Sequence, residues 1–259
     1  MADIIYRPRS ITEILDASFH LFRQHFRPLV TLTAVAYLPL AVFSLLYARY
    51  AGFTAGTATA EFQWSMLVLF PFQLVWFTIM SALVTTMTSR AYLGEPLEPG
   101  TVWSATLPRL LPVVATFLIL FIFSGFGLIF FVFPGIYLYT RYSTAVNVAL
   151  LENAGVNAAF QRATTLSRDR KLHIFGVTFF ALLLYFIVLM GLGVVALLMS
   201  STLLRSIVSF VGTIFTWPIL PIVQTVLYYD LRIRAEGYDV ELMSRQLDDS
   251  LSSPAQAAF

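Results

Sequence analysis

Residues 134–171, with the sequence PGIYLYTRYSTAVNVALLENAGVNAAFQRATTLSRDRK, join four features that organise the chain. A Pro-Gly turn is followed by an apolar segment that carries Arg141 and Asn147. Glu152 ends the apolar segment, and a basic amphipathic segment comes next. The Pro-Gly pair predicts that the chain turns here and returns as a short helix. Arg141 is the only charged residue well inside a predicted apolar span, since Arg205 is the third residue of its span, and an ionisable side chain there marks a candidate site.

Composition places the chain among membrane proteins. Of its 259 residues, 58% are hydrophobic and 12% are charged, whereas ordinary soluble domains carry about 25% charged residues. Several apolar runs reach the roughly 20 residues that cross a hydrocarbon layer of about 30 Å. We therefore predict an all-α fold, a polytopic bundle of membrane helices in a single domain of residues 1–243. Residues 244–259 are polar and are predicted to be a disordered tail.

The apolar runs on either side of the opening stretch predict six transmembrane helices. Sixteen residues of the fourth run rise only about 24 Å, so that helix must be upright, thin the bilayer or be shielded by neighbours. The six predicted spans are residues 29–47, 64–87, 110–133, 136–151, 174–199 and 203–229.

Two basic amphipathic segments are predicted on the cytoplasmic side. The spacing of Ser10 and Glu13 is that of a capping box, which predicts a helix over residues 10–27. Its apolar residues recur at steps of three and four, so it is expected to lie in the membrane interface. Packing of this helix on other cytoplasmic segments is the alternative. The second amphipathic segment covers residues 156–171.

Lysine and arginine are distributed unequally between the two sides of the predicted bundle. Four lie in residues 1–27, two between the second and third spans, four between the fourth and fifth, and three beyond the sixth. The opposite side carries only Arg49 and Arg205. By the positive-inside rule both termini are cytoplasmic. The first span is expected to be retained, because its apolar run begins only after four arginines.

The residue types that catalyse hydrolysis do not form a recognisable pattern. Cysteine is absent, which excludes thiol nucleophiles and thiolate metal sites. The three histidines, His20, His25 and His173, match no zinc, serine-hydrolase or phosphate-loop motif. No Asp or Glu lies within a span, which argues against ion-coupled transport. We predict no catalytic residue, metal or cofactor, and a net charge of +2 gives no indication of nucleic acid.

Polar residues within the spans form a candidate intramembrane site. Arg141 lies about six residues, or roughly 9 Å, from the Pro-Gly turn, so its side chain can reach the external interface. Alternatively it lies in the bundle, bound to a lipid phosphate, to carbonyl groups or to an amide. The amides can also bond between helices or line a polar cavity. The members of this site are Arg141, Asn147, Gln73 and Gln224.

Basic residues next to the spans are candidate contacts for lipid head groups. Each one near an anionic surface contributes on the order of 1 kcal/mol. They are Arg23, Arg27, Arg162, Arg168, Arg170, Lys171, Arg232 and Arg234, and Glu152 and Asp230 are expected to pair with some of them at the exposed surface. The predicted function is a non-enzymatic module that binds anionic lipid or a membrane protein partner. A transporter of small molecules or lipids, with a polar cavity near Arg141, is the alternative.

Five short phrases occur in order along the chain: residues 10–16 (SITEILD), 134–137 (PGIY), 151–152 (LE), 158–167 (AAFQRATTLS) and 227–237 (LYYDLRIRAEG). Together they resemble the bacterial family known as the membrane domain of glycerophosphoryl diester phosphodiesterase, which is related to the YciC-like integral membrane proteins. The resemblance implies a six-span protein of the bacterial cytoplasmic membrane. The phosphodiesterase activity in the family name belongs to a separate catalytic domain that nothing here resembles, so no activity is carried over.

Overall fold

A computed structural model describes residues 7–50 and 60–238, and this part of the chain is helical. One turn of 3₁₀ helix, Leu107–Arg109, joins α4 to α5. The predicted tail at residues 244–259 lies outside the described residues. Within them, the α-helices are α1 (Ile11–Gln24), α2 (Phe26–Tyr50), α3 (Ala60–Leu93), α4 (Pro99–Thr106), α5 (Leu110–Phe130), α6 (Val132–Tyr142), α7 (Ala145–Leu151), α8 (Val156–Leu166), α9 (Lys171–Leu197), α10 (Thr202–Thr216) and α11 (Ile219–Glu236).

Helix α1 begins with the capping box that the sequence predicts. The Glu13 N–H donates to the Ser10 hydroxyl, and the Glu13 carboxylate accepts from the Ser10 N–H. The hydrogen bond from the Ser10 N–H is the largest of the contacts that lower the pKa of Glu13. Ile14 and Leu21 are buried, and the helix packs against α9 and α11. Part of its apolar face therefore contacts α9 and α11, and its position in the membrane interface stays a prediction.

The turn between α5 and α6 lies at Phe131, three residues before the predicted Pro-Gly turn, so that prediction was wrong. Phe131 is extended, and both Pro134 and Gly135 lie inside α6. Pro134 is tolerated there because an N–H in the first helical turn has no partner within the helix. Gly135 packs on Gly127 so closely that an added Cβ would lie 2.4 Å from the backbone nitrogen of Leu128. Glycine is needed because the two backbones touch.

The predicted fourth span is two short helices, α6 and α7, separated by Ser143 and Thr144. An 11-residue and a 7-residue helix rise about 16 Å and 10 Å, so neither crosses a bilayer alone. Within the described residues, five helical stretches are long and apolar enough to cross a membrane, judged by length and composition. They are Phe26–Phe43, Phe70–Leu93, Pro99–Phe130, Lys171–Leu197 and Ile207–Glu236.

The other long helices coincide closely with the remaining predicted spans. The sixth is divided into α10 and α11, and the break falls at Trp217 and Pro218, where proline lacks the N–H of a continuous helix. The second amphipathic segment is shorter than predicted. It ends with α8 at Leu166, and Lys171 is the first residue of α9.

The buried core centres on the second half of α11 and on the helices around it. By contrast, α9, α10 and the second half of α5 expose many large apolar side chains, as expected of a surface that contacts lipid. The largest fully buried side chains are Tyr228, Ile14, Leu29, Met80, Leu83, Met87, Leu150, Leu166, Ile174, Ile222, Leu227 and Leu231.

Candidate functional site

Contacts between four basic segments bring them to one end of the bundle, which we call the basic end. Hydrogen bonds and ion pairs join the segment before α1 to α11, α11 to α8 and α9, and the start of α5 to the end of α7. The basic end consists of residues 7–27, 90–109, 152–173 and 230–238. It contains all eight head-group candidates, whereas Arg205 lies near the distant turn between α9 and α10.

Asp230 is the buried centre of one network at the basic end. Its carboxylate, 1% exposed, accepts from the Arg9 N–H at 2.7 Å and from Arg234 Nε at 2.7 Å. His173 Nε2 lies 3.1 Å from the same carboxylate, and Arg234 also donates to the Arg9 carbonyl. The pairing of Asp230 with Arg234 agrees with the sequence prediction, but its expected exposure was wrong. The segment before α1 covers the pair and so ties α1, α9 and α11 together.

A second network forms around Arg162 on α8. Arg162 Nε lies 3.0 Å from Glu152, and a terminal nitrogen contacts Glu236. The Tyr228 hydroxyl donates to Glu152 at 2.8 Å, and Arg232 Nε lies 3.3 Å from Glu236. Burial lowers the pKa of Arg162, but the hydrogen bonds to Glu236 and Glu152 raise it by more, so this pKa lies above its ordinary value. These pairs hold α8 against α11.

The eight head-group candidates therefore fall into two groups. Arg162, Arg232 and Arg234 are bound by internal carboxylates. Within residues 7–50 and 60–238, no carboxylate lies within 4.0 Å of the other candidates except Asp169, which is 4.0 Å from Arg168 and as fully exposed as that arginine. This second group consists of Arg23, Arg27, Arg168, Arg170 and Lys171, and all but Lys171 are exposed.

Arg141 and Lys171 both interact with the Tyr137 hydroxyl. Lys171 Nζ donates to the Tyr137 hydroxyl at 3.2 Å and lies 4.4 Å from the centre of its ring. Arg141 lies close enough to interact electrostatically with that hydroxyl, and its guanidinium is 5.3 Å from the centre of the Tyr142 ring. In the part of the chain that the structure describes, no carboxylate lies within 4.0 Å of either cation. This cluster of Tyr137, Arg141 and Lys171 is the candidate site.

A shallow pocket of about 310 Å³ lies beside this cluster, between α6 and α8. Arg141 Nε is buried and has no hydrogen-bond partner among the described residues, while the Ser167 hydroxyl donates to the Arg141 carbonyl at 2.8 Å. Arg141 thus contacts α8 at the basic end and not the opposite end of the bundle. The pocket is lined by Arg141, Tyr142, Phe160, Gln161 and Thr164.

None of the three candidate amides lines this pocket. Asn147 is buried in α7, and its Nδ2 has no partner among the described residues. Gln224 Nε2 lies 3.4 Å from the Thr178 hydroxyl, and its Oε1 is buried without a partner in the described chain. Gln73 is half-buried in α3. The predicted intramembrane site therefore consists of separate groups, with Arg141 in a different environment from the amides.

Tyr137 was not among the predicted site residues. A signal was present, because Tyr137 and Arg141 are four residues apart and so share one face of a helix. The approach of Lys171 depends on how α9 begins beside α6 and has no local signal. Within residues 7–50 and 60–238, no group of three His, Asp or Glu side chains is placed to hold a metal ion.

No protein-family model, curated protein or solved structure matches this chain. The resemblance to the membrane domain of glycerophosphoryl diester phosphodiesterase and to the YciC-like proteins therefore stays a prediction. The four longer phrases that carry it lie in the N-terminal segment with α1, in α6, in α8 and in α11, and three of these meet at the basic end.

Proposed function

We propose that this chain is an integral protein of the bacterial cytoplasmic membrane that binds anionic lipid through its basic end, without catalysing a reaction. The observation that carries the proposal is the division of the cations at that end. Internal carboxylates bind three arginines and hold the helices together. Arg23, Arg27 and Arg170 have no such partner in the described chain and are exposed.

The proposal includes six membrane crossings, with both termini in the cytoplasm. Helices α6 and α7 together account for about 27 Å of helix axis, with a break at Ser143 and Thr144. In this proposal the pair returns the chain to the basic end, shielded by α5 and α9, because Arg109 at the start of α5 donates to the Leu150 carbonyl at the end of α7. An even number of crossings puts the N-terminus and the end of α11 on one side, in keeping with the contact between Arg9 and Asp230.

The unpaired cations supply attraction to anionic head groups. A basic residue near an anionic surface contributes on the order of 1 kcal/mol, which is roughly a fivefold change in affinity. An arginine already neutralised by a buried carboxylate contributes less, because its field is cancelled at short range. Arg23 and Arg27 lie one helical turn apart at the junction of α1 and α2, so their contributions act on the same patch of lipid.

Native mass spectrometry of the full chain, released from bilayers with equal amounts of phosphatidylglycerol and phosphatidylcholine, tests this function. We expect the wild type to retain phosphatidylglycerol preferentially. Replacing Arg23 and Arg27 by Gln removes two such contributions and is expected to reduce that preference roughly 25-fold. Arg205→Gln, which removes the same kind of charge at the opposite end, is the control and should leave it unchanged. Equal retention of both lipids by the wild type would refute the proposal.

Lipid or small-molecule translocation is the second candidate function, and one observation favours it. Asn147 Nδ2 and Gln224 Oε1 are buried without partners in the described chain, and buried polar atoms are normally satisfied by protein or water. Because the chain has no cysteine, Asn147→Cys and Gln224→Cys can each be labelled selectively. Modification of both by a membrane-impermeant thiol reagent would support a polar path, and protection of both would exclude one through these positions.

A further inference from the structure

We propose that Tyr137, Arg141 and Lys171 bind one phosphate ester group of a lipid, with an acyl chain lying along α9. This inference rests on the proposed function and names the ligand of the candidate site. A phosphate ester can belong either to a lipid head group or to a small soluble molecule. The exposed apolar side chains of α9 favour the lipid.

The three side chains supply what a phosphate requires. Lys171 donates a hydrogen bond to the Tyr137 oxygen, which leaves the phenolic hydrogen of Tyr137 able to donate to an anionic oxygen. Arg141 and Lys171 provide two positive charges with no carboxylate within 4.0 Å among the described residues. Charge-assisted hydrogen bonds from arginine to phosphate are short and strong. Among the described residues, the two positive charges of the cluster therefore have no counter-ion.

Arg141 adds an observation of a different kind. Its Nε is buried and has no hydrogen-bond partner in the described chain, although the residue lines an open pocket. Buried donors are nearly always paired in folded proteins, and an unpaired one indicates a missing partner. A phosphate oxygen is an acceptor that suits a guanidinium, since arginine presents its donors in a planar fork.

The surface of α9 indicates that the phosphate carries an acyl chain. Leu172, next to Lys171, is 87% exposed, and exposed apolar side chains continue along the helix at steps of three and four residues. Lys171 shares one face with Phe175 and Phe179, which lie four and eight residues further on. A soluble phosphate ester would use only the cationic end of this surface. The exposed stripe consists of Leu172, Phe175, Phe179, Leu183, Phe186 and Met190.

The test measures binding of dioleoyl phosphatidic acid to the full chain in a neutral detergent, by native mass spectrometry. Arg141→Gln and Lys171→Gln are each expected to weaken binding about tenfold. Tyr137→Phe, which removes one oxygen atom, is expected to weaken it about threefold. Arg205→Gln, at the opposite end, should change it less than twofold. If Arg141→Gln does not fold, Arg141→Lys replaces it, because it keeps the charge, loses Nε and should still weaken binding.

Two further arms separate the possible outcomes. Glycerol 3-phosphate, which has the head group without acyl chains, should fail to displace the lipid at equal concentration, and displacement would overturn the lipid assignment. If the wild type prefers anionic lipid but the three site variants behave like Arg205→Gln, this site is refuted while the proposed function stands. If the wild type binds phosphatidylcholine as well as it binds phosphatidic acid and phosphatidylglycerol, both proposals fail.

Discussion

Asp230→Asn removes one negative charge from a side chain that is 1% exposed and leaves its shape almost unchanged. The new amide can still accept from the Arg9 N–H, but Arg234 loses its counter-charge. Removing one partner of a buried ion pair typically costs about 3 to 5 kcal/mol. We expect about 3 kcal/mol, the lower end of that range, because the Arg234 side chain is 18% exposed and also donates to the Arg9 carbonyl. For a chain of this size, that loss lowers the melting temperature by roughly 6 to 12 °C.

The assay is thermal unfolding of the purified protein in detergent, followed by tryptophan fluorescence. Asp169→Asn is the matched control, since Asp169 is exposed and its only ion pair among the described residues is 4.0 Å long. A second readout is tryptic cleavage after Arg9, which should become faster when the segment before α1 is released. If Asp230→Asn melts within about 1 °C of the wild type, or if Asp169→Asn is equally destabilised, the network does not hold the basic end together.

Three further changes test the packing and the charges around the site. Gly135→Ala should destabilise the protein by about 1 to 3 kcal/mol because its Cβ meets the α5 backbone, whereas Gly125→Ala, with open space at the Cβ, should be neutral or stabilising in the same thermal assay. Glu152→Gln leaves Arg162, 32% exposed, with one carboxylate, so we expect a loss of only about 1 kcal/mol by denaturant unfolding; a loss above about 3 kcal/mol would contradict this. Burial lowers the pKa of His25 below its ordinary value of 6.5, so the unfolded state binds a proton more readily than the folded state. The folded protein therefore keeps its full stability above pH 6.5 and loses part of it as the pH falls towards the lowered pKa. His25→Gln should therefore reduce the fall in melting temperature between pH 7.5 and pH 5. If the variant's melting temperature falls as much as that of the wild type, His25 is not the cause of this loss.

Features determined by neighbouring residues were predictable from the sequence. The capping box at Ser10 and the long apolar helices follow from local spacing and composition. The turn at Phe131 was misplaced because Pro134 is compatible both with a turn and with the first turn of a helix, and the close packing of Gly135 on α5 decides between them. Local pattern alone does not contain that choice.

The candidate site was only partly predictable for the same reason. Arg141 was identified from its rarity in an apolar segment, but the direction of its side chain depends on α8 lying beside α6. Which arginines are neutralised depends on contacts such as that between Arg162 and Glu236, which lie far apart in sequence. A list of basic residues therefore contains both the cations that hold the helices and those available to a ligand, and only the fold separates them.

The hydrogen bond between Arg9 and Asp230 joins residues that are 221 positions apart, and this separation determines the order in which the protein is completed. Helix α1 leaves the ribosome before any crossing has been made, but the helices on which it packs, α9 and α11, are synthesised much later. Its capping box is local and can form at once, so we expect α1 to be helical before α9 and α11 have been made. The contacts of the basic end can form only after α11 has been made. In a nascent chain that stops before residue 230, Arg9 lacks its partner Asp230.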